Sequence, residues 1–157
     1  MTEAAGLHAL ARGLAADHPG PASAVLPRPI AAAIAAQARA EHPLESCGLI
    51  AGSAPAAAGG VALRYLPCRN AAASPVRYAV NADDLYRITV ETDDAGEVIW
   101  GIVHSHVTSP AVPSSTDVGL ALYPDALYLL ISLADEPALR AWRIIDGEMH
   151  EVALEPA

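Results

Sequence analysis

The chain contains no lysine and no phenylalanine, only two cysteines, and no apolar stretch long enough to span a membrane. All nine basic residues are arginine, set against eighteen acids, which leaves a net charge of −9. Such a surplus of negative charge repels phosphate backbones, so nucleic acid is not an expected partner. Cys47 and Cys68 are too few for a disulfide framework and suit a reducing compartment. The longest apolar runs are broken well short of the ~20 residues a membrane helix needs. The N-terminus carries Glu3 and lacks a basic region followed by an apolar run, so no signal peptide is expected. These absences point to a cytoplasmic protein without a membrane partner.

What is present fits a single globular domain. The 157 residues are 53% hydrophobic and 17% charged, which excludes a disordered chain. Glycine (11) and proline (13) are spread without period, as in a fold rich in turns. Residues 1–27 read as a flexible N-terminal extension, with Leu7, Leu10 and Leu14 as one apolar helical face ended by Pro19, Gly20 and Pro21. The domain proper is expected over residues 28–157. Arg28–Ala40 is strongly helix-forming, with Ile30 and Ile34 one turn apart, and His42-Pro43 stops it. Cys47–Ala51 reads as a buried strand, Ser53–Gly60 as a loop tip, and residues 60–68 as the hairpin partner. Arg77–Val80 reads as a brief third strand, and Ala82–Glu91 as a helix capped by Asn81. Residues 97–106 form a nearly continuous apolar run, the mark of a central strand. A short serine-capped helix at Ser114–Leu122 and three closing strands complete an α/β fold with a mixed sheet.

The chemistry concentrates in His104-Ser-His106, seven residues, then Ser114-Ser-Thr-Asp117. Histidines at i and i+2 of a strand project from the same face, so both imidazoles can reach one ion. Asp117 adds a carboxylate in the first turn of the next helix. Two nitrogens and one oxygen leave a fourth tetrahedral position open, the arrangement of a catalytic zinc site. Each half alone has a plainer reading. His-x-His occurs by chance, and Ser-x-x-Asp is an ordinary helix-capping box. The joint spacing is more specific than either half.

That joint pattern resembles the JAMM motif of MPN-domain zinc metallopeptidases. The segment His42-Pro-Leu-Glu45-Ser-Cys-Gly-Leu-Ile50 resembles the upstream glutamate segment of the same family. The run Arg69-Asn-Ala-Ala-Ala-Ser-Pro75 extends the likeness, which covers roughly residues 28–150. The resemblance implies a mixed, curved sheet flanked by helices, layered as in cytidine deaminases. It implies one zinc ion held by His104, His106 and Asp117. Glu45 would be the general base and Ser114 the hydroxyl that stabilises the oxyanion. Ser105, between the ligands, faces the other way and reads as structural.

Within the family, Tyr123–Ser132 and Arg143–Gly147 resemble the compact bacterial Mec-type subgroup. That likeness implies a peptidase that cuts after the C-terminal Gly-Gly of a ubiquitin-like sulfur carrier protein and releases cysteine. Trimming of extra residues from such a carrier is the alternative within the same chemistry. A non-catalytic scaffold is the alternative outside it. A zinc nucleobase deaminase is discounted, because His-x-Glu and Pro-Cys-x-x-Cys are both missing.

Overall fold

The computed structural model describes residues 20–136 and 138–157. One seven-stranded mixed sheet forms its centre, in the order β1-β7-β6-β5-β4-β2-β3. The strands are β1 (Ser23–Leu26), β2 (Cys47–Gly52), β3 (Ala62–Cys68), β4 (Val98–His106), β5 (Leu127–Ser132), β6 (Leu139–Ile145) and β7 (Glu148–Pro156). Three helices accompany them: α1 (Arg28–Glu41), α2 (Ala82–Asp94) and α3 (Ser115–Gly119).

Each face of the sheet has its own core. Ile30, Ile34 and Ala38 recur one turn apart on α1 and bury against Ile50, Trp100, Val103 and Leu129. On the opposite face, Ile88 of α2 packs with Leu49, Ile102, Tyr128, Leu130 and Trp142. Neighbouring residues such as Leu49 and Ile50, or Ile102 and Val103, thus serve opposite cores, as strand alternation requires. β4 lies between β2, antiparallel, and β5, parallel, so it is a central strand with both edges paired along most of its length. The parallel step from β4 to β5 needs a long crossover, and α3 lies within it. The β6–β7 turn is a two-residue hairpin at Asp146 and Gly147. Both have positive φ (49° and 80°), which suits the strand twist and favours glycine.

Several expectations need correction. The boundary at residue 27 is too late, because Ser23–Leu26 pairs in parallel with Ala153–Pro156 and Leu26 is 3% exposed. This four-residue segment between prolines is too short to display alternation, and its partner is the last strand of the chain. Residues 1–19, including the proposed face of Leu7, Leu10 and Leu14, lie outside the described residues. Arg77–Val80 is not a strand: it makes one isolated bridge, Asn70 to Val80. A side chain takes the place of a neighbouring strand, with Asn70 Nδ2 donating to Arg77 O and Asn70 Oδ1 accepting from Ala79 N–H. The tip between β2 and β3 carries a 3₁₀ turn at Ala56–Ala58, with Ala56 buried. No described helix is long and apolar enough to cross a membrane.

Candidate metal centre

Strand β4 ends in His104, Ser105 and His106, all buried. Alternation sends the two imidazoles to the α2 face and Ser105 to the other. There Ser105 Oγ accepts from Ser46 N–H at 2.7 Å, and Ser105 N–H donates to Ser46 O at 3.0 Å. The residue between the histidines therefore ties the end of β4 to the residue after Glu45.

The following loop is pinned by side chains at three successive carbonyls. Ser109 O accepts from Ser132 Oγ, Pro110 O from His106 Nδ1, and Ala111 O from the Trp142 indole. The loop then enters α3 through a reciprocal capping box. Ser114 Oγ accepts from Asp117 N–H at 3.1 Å, while Asp117 Oδ2 accepts from Ser114 N–H at 2.8 Å. Capping and site geometry are compatible, because the same Oδ2 faces both histidines.

His104 Nε2, His106 Nε2 and Asp117 Oδ2 form a triangle with every edge 3.2 Å. Metal–ligand bonds of about 2.0–2.1 Å at tetrahedral angles give ligand separations of roughly 3.3 Å. The triangle matches one face of such a tetrahedron. Pro110 O can only accept, so His106 Nδ1 carries the hydrogen and its Nε2 lone pair faces the cluster. The Glu45 carboxylate joins from the loop between α1 and β2, with ligand atoms of Glu45, His104 and His106 within 4.8 Å of one another. The shorter and equal distances favour Asp117 as the third member of the donor set, leaving Glu45 beside it. Two neutral-capable nitrogens with one carboxylate suit a divalent cation of intermediate softness.

Electrostatics separates the two carboxylates. Glu45 is 3% exposed, and its Oε2 has no partner among the described residues. Burial pushes its carboxyl up to about 7, with the charge of Asp117 adding to the rise and that of His106 opposing it. Asp117 feels burial too, but hydrogen bonds from His104, His106 and Ser114 N–H hold it well below the usual carboxylate range. Burial keeps His104 on the neutral side, its ring stacked on Tyr78 at 4.1 Å between centroids and 15° between planes. For His106, burial opposes charge, but the hydrogen bonds to Asp117 and Pro110 O outweigh it and raise its pKa. Two carboxyls with opposite shifts in one cleft form a usual acid–base arrangement.

The cleft over this cluster holds about 90 Å³ and is lined by Glu45, Val76, His106, Ser109 and Ser114, among others. All five residues singled out in the sequence thus meet at one end of β4. Two further residues border them without a role read from sequence. They are Asn70, within the quoted Arg69–Pro75 run, and Tyr78, within the supposed third strand. Cys47 and Cys68 sit directly opposite each other on β2 and β3 as free thiols. Burial pushes them up to about 12 and about 11, so neither is a thiolate nucleophile at neutral pH. His42 and His150 are exposed.

Comparison with known proteins places the chain in a family. Residues 27–145 match the prokaryotic homologs of the JAB domain. The CysO-cysteine peptidase of Mycobacterium tuberculosis is 40% identical over 121 residues, 76% of this chain and 81% of that protein. The desampylase of Haloferax volcanii is 33% identical over 119 residues, 75% of this chain and 84% of that protein. A JAB1/MPN domain protein from Archaeoglobus fulgidus shares the fold, with a TM-score of 0.53 at 19% identity over 83% of this chain and 97% of that one.

Proposed function

Because this chain belongs to the prokaryotic homologs of the JAB domain, we propose that it is a zinc-dependent peptidase acting on a ubiquitin-like sulfur carrier protein. It hydrolyses the amide bond after the carrier's C-terminal Gly-Gly and releases cysteine. The observation that carries this reading is the 3.2 Å triangle of His104, His106 and Asp117 with a buried carboxyl at Glu45 beside it. The substrate class rests on the two relatives, whose names are CysO-cysteine peptidase and desampylase. Free, buried Cys47 and Cys68 are consistent with action in the reducing cytoplasm.

In this mechanism His104, His106 and Asp117 would hold the zinc ion, which would supply Lewis acidity when bound. Glu45 takes a proton from the attacking water on its carboxylate and delivers it to the leaving amine. In the metal-free chain burial brings the Glu45 carboxyl up to about 7, and a cation bound beside it would lower that value and favour the carboxylate that accepts the proton. Ser114 Oγ already accepts from Asp117 N–H, so its own hydrogen is free to be donated to the developing oxyanion. The narrow cleft admits an extended tail of glycines, which have no side chains to place.

Intact-mass analysis of two carriers tests the proposal, one ending in Gly-Gly-Cys and one with a longer tail beyond Gly-Gly. Loss of a single cysteine by zinc-loaded wild type, but not by Glu45→Ala or chelated protein, is the expected result. Cleavage of the longer tail alone reassigns the enzyme to carrier trimming. Cleavage of neither overturns the substrate class.

A further inference from the structure

Asn70 uses all four arms of its amide, and every one bears on the site. Its Nδ2 donates to Glu45 O and to Arg77 O, each at 3.0 Å. Its Oδ1 accepts from Ala72 N–H and Ala79 N–H, each at 3.0 Å. The loop it folds returns Ser74 O to accept from Glu45 N–H at 2.9 Å, so Glu45 is gripped at both its main-chain groups. The same bonds at Arg77 and Ala79 flank Tyr78 and hold its ring against His104. Asn70 is itself anchored, because Arg69 before it binds Asp84 of α2 through its main-chain N–H at 2.8 Å and its guanidinium at 3.1–3.2 Å. The Glu45 side chain, by contrast, has a buried oxygen, Oε2, without a partner among the described residues. That oxygen has no hydrogen bond there to fix its direction, so the aim of the carboxylate depends on how the main chain of residue 45 is held.

We infer that Asn70 is a positioning residue for Glu45 and for the Tyr78–His104 stack, acting through the loop it closes and touching neither substrate nor metal. The inference rests on the peptidase reading for its kinetic consequence, but its structural content is independent of it. A misplacement of about 1 Å at a catalytic group can cost on the order of 100-fold in rate.

Asn70→Asp separates the two halves of the amide. It keeps an acceptor for Ala72 and Ala79, loses both donors, and sets carboxylate oxygen against Glu45 O and Arg77 O. Asn70→Ala removes both halves. Two readouts are taken on each variant: steady-state cleavage of a Gly-Gly-Cys carrier, and amide exchange of the ¹⁵N-labelled protein without substrate. The expected result for Asn70→Asp is a roughly 10- to 100-fold fall in kcat with KM within about 3-fold of wild type. Exchange at Glu45 N–H quickens while Ala72 and Ala79 keep their protection and bound zinc stays at one per chain. Asn70→Ala additionally loses protection at Ala72 and Ala79. Wild-type kcat in Asn70→Asp, or unchanged exchange at Glu45 in both variants, overturns the inference, as does a loss traced wholly to unbound zinc or to KM. If wild type itself cuts no carrier, the substrate class falls, and exchange at Glu45 still decides the positioning role.

Discussion

At residue 45 a carboxyl is buried with one oxygen unpartnered among the described residues, so its charged form is disfavoured in the folded chain but not in the unfolded one. Its folded pKa of about 7 lies above the ordinary value of 4.5, so the folded state binds more protons between those values. Stability contributed by Glu45 is therefore complete below about pH 4.5 and is lost as pH rises through 7. In metal-free protein, Glu45→Gln should be more stable than wild type at pH 8 by at most roughly 3 kcal/mol, relative to their difference at pH 4. Urea melts of both proteins at the two pH values measure this, and an equal gap at both would show that Glu45 ionises freely. In the zinc-loaded enzyme the same substitution should cut kcat by about 100-fold or more and leave one zinc per chain. The burial of Glu45 is not legible in its neighbourhood, because an acid just after His42-Pro43 has the local pattern of a solvated helix end. Ser74 and Asn70, far along the chain, fold over it. His104, His106 and Asp117 are more legible, since strand alternation and a capping box both have short-range signatures.

Among the elements, the contrast between β1 and α3 separates what local sequence encodes from what the sheet imposes. α3 has five residues, too few to persist alone, and it depends on its cap and on the loop pinned at Ser109, Pro110 and Ala111. Ser114→Ala removes the acceptor for Asp117 N–H, a change worth about 1 kcal/mol at an N-cap. Because Asp117 is positioned by that cap, zinc affinity should fall about 5-fold, measured by competition with a chromophoric chelator. Unchanged affinity would show that Asp117 is held without help from the Ser114 hydroxyl. β1 makes the opposite case. Its pairing with β7 closes the sheet edge through residues distant in sequence, and nothing in Ser-Ala-Val-Leu announces it. Leu26 is 3% exposed, so Leu26→Ala should destabilise by about 2–4 kcal/mol in urea melts. A cost near zero would restore the boundary at residue 27. α1, α2 and β4 need no such test, because Ile30 with Ile34, Asn81 at its cap, and the apolar run of β4 each declare the element on the spot.

Over the whole molecule, the sheet divides scaffold from site. The face under α1 is a closed apolar core, and the metal centre lies on the α2 face at the end of β4, beyond the last apolar layer. Apolar clusters on both faces hold the sheet, so the fold is expected to stand without the ion, in contrast to small domains that fold only around zinc. Removing the metal should therefore leave far-UV circular dichroism unchanged while lowering Tm. An ion that binds only the folded chain stabilises it by RT ln(1 + [L]/Kd), about 4 kcal/mol at 1,000 times Kd. For a chain of this size that is a Tm rise of roughly 8–16 °C on adding zinc to the metal-free protein. His104→Ala removes one donor of the triangle and should abolish the rise without lowering the circular dichroism of the metal-free state. A wild-type Tm that ignores zinc would argue against the ligand triangle itself. A metal-free chain that loses its sheet signal would show instead that the two apolar cores cannot stand without the ion.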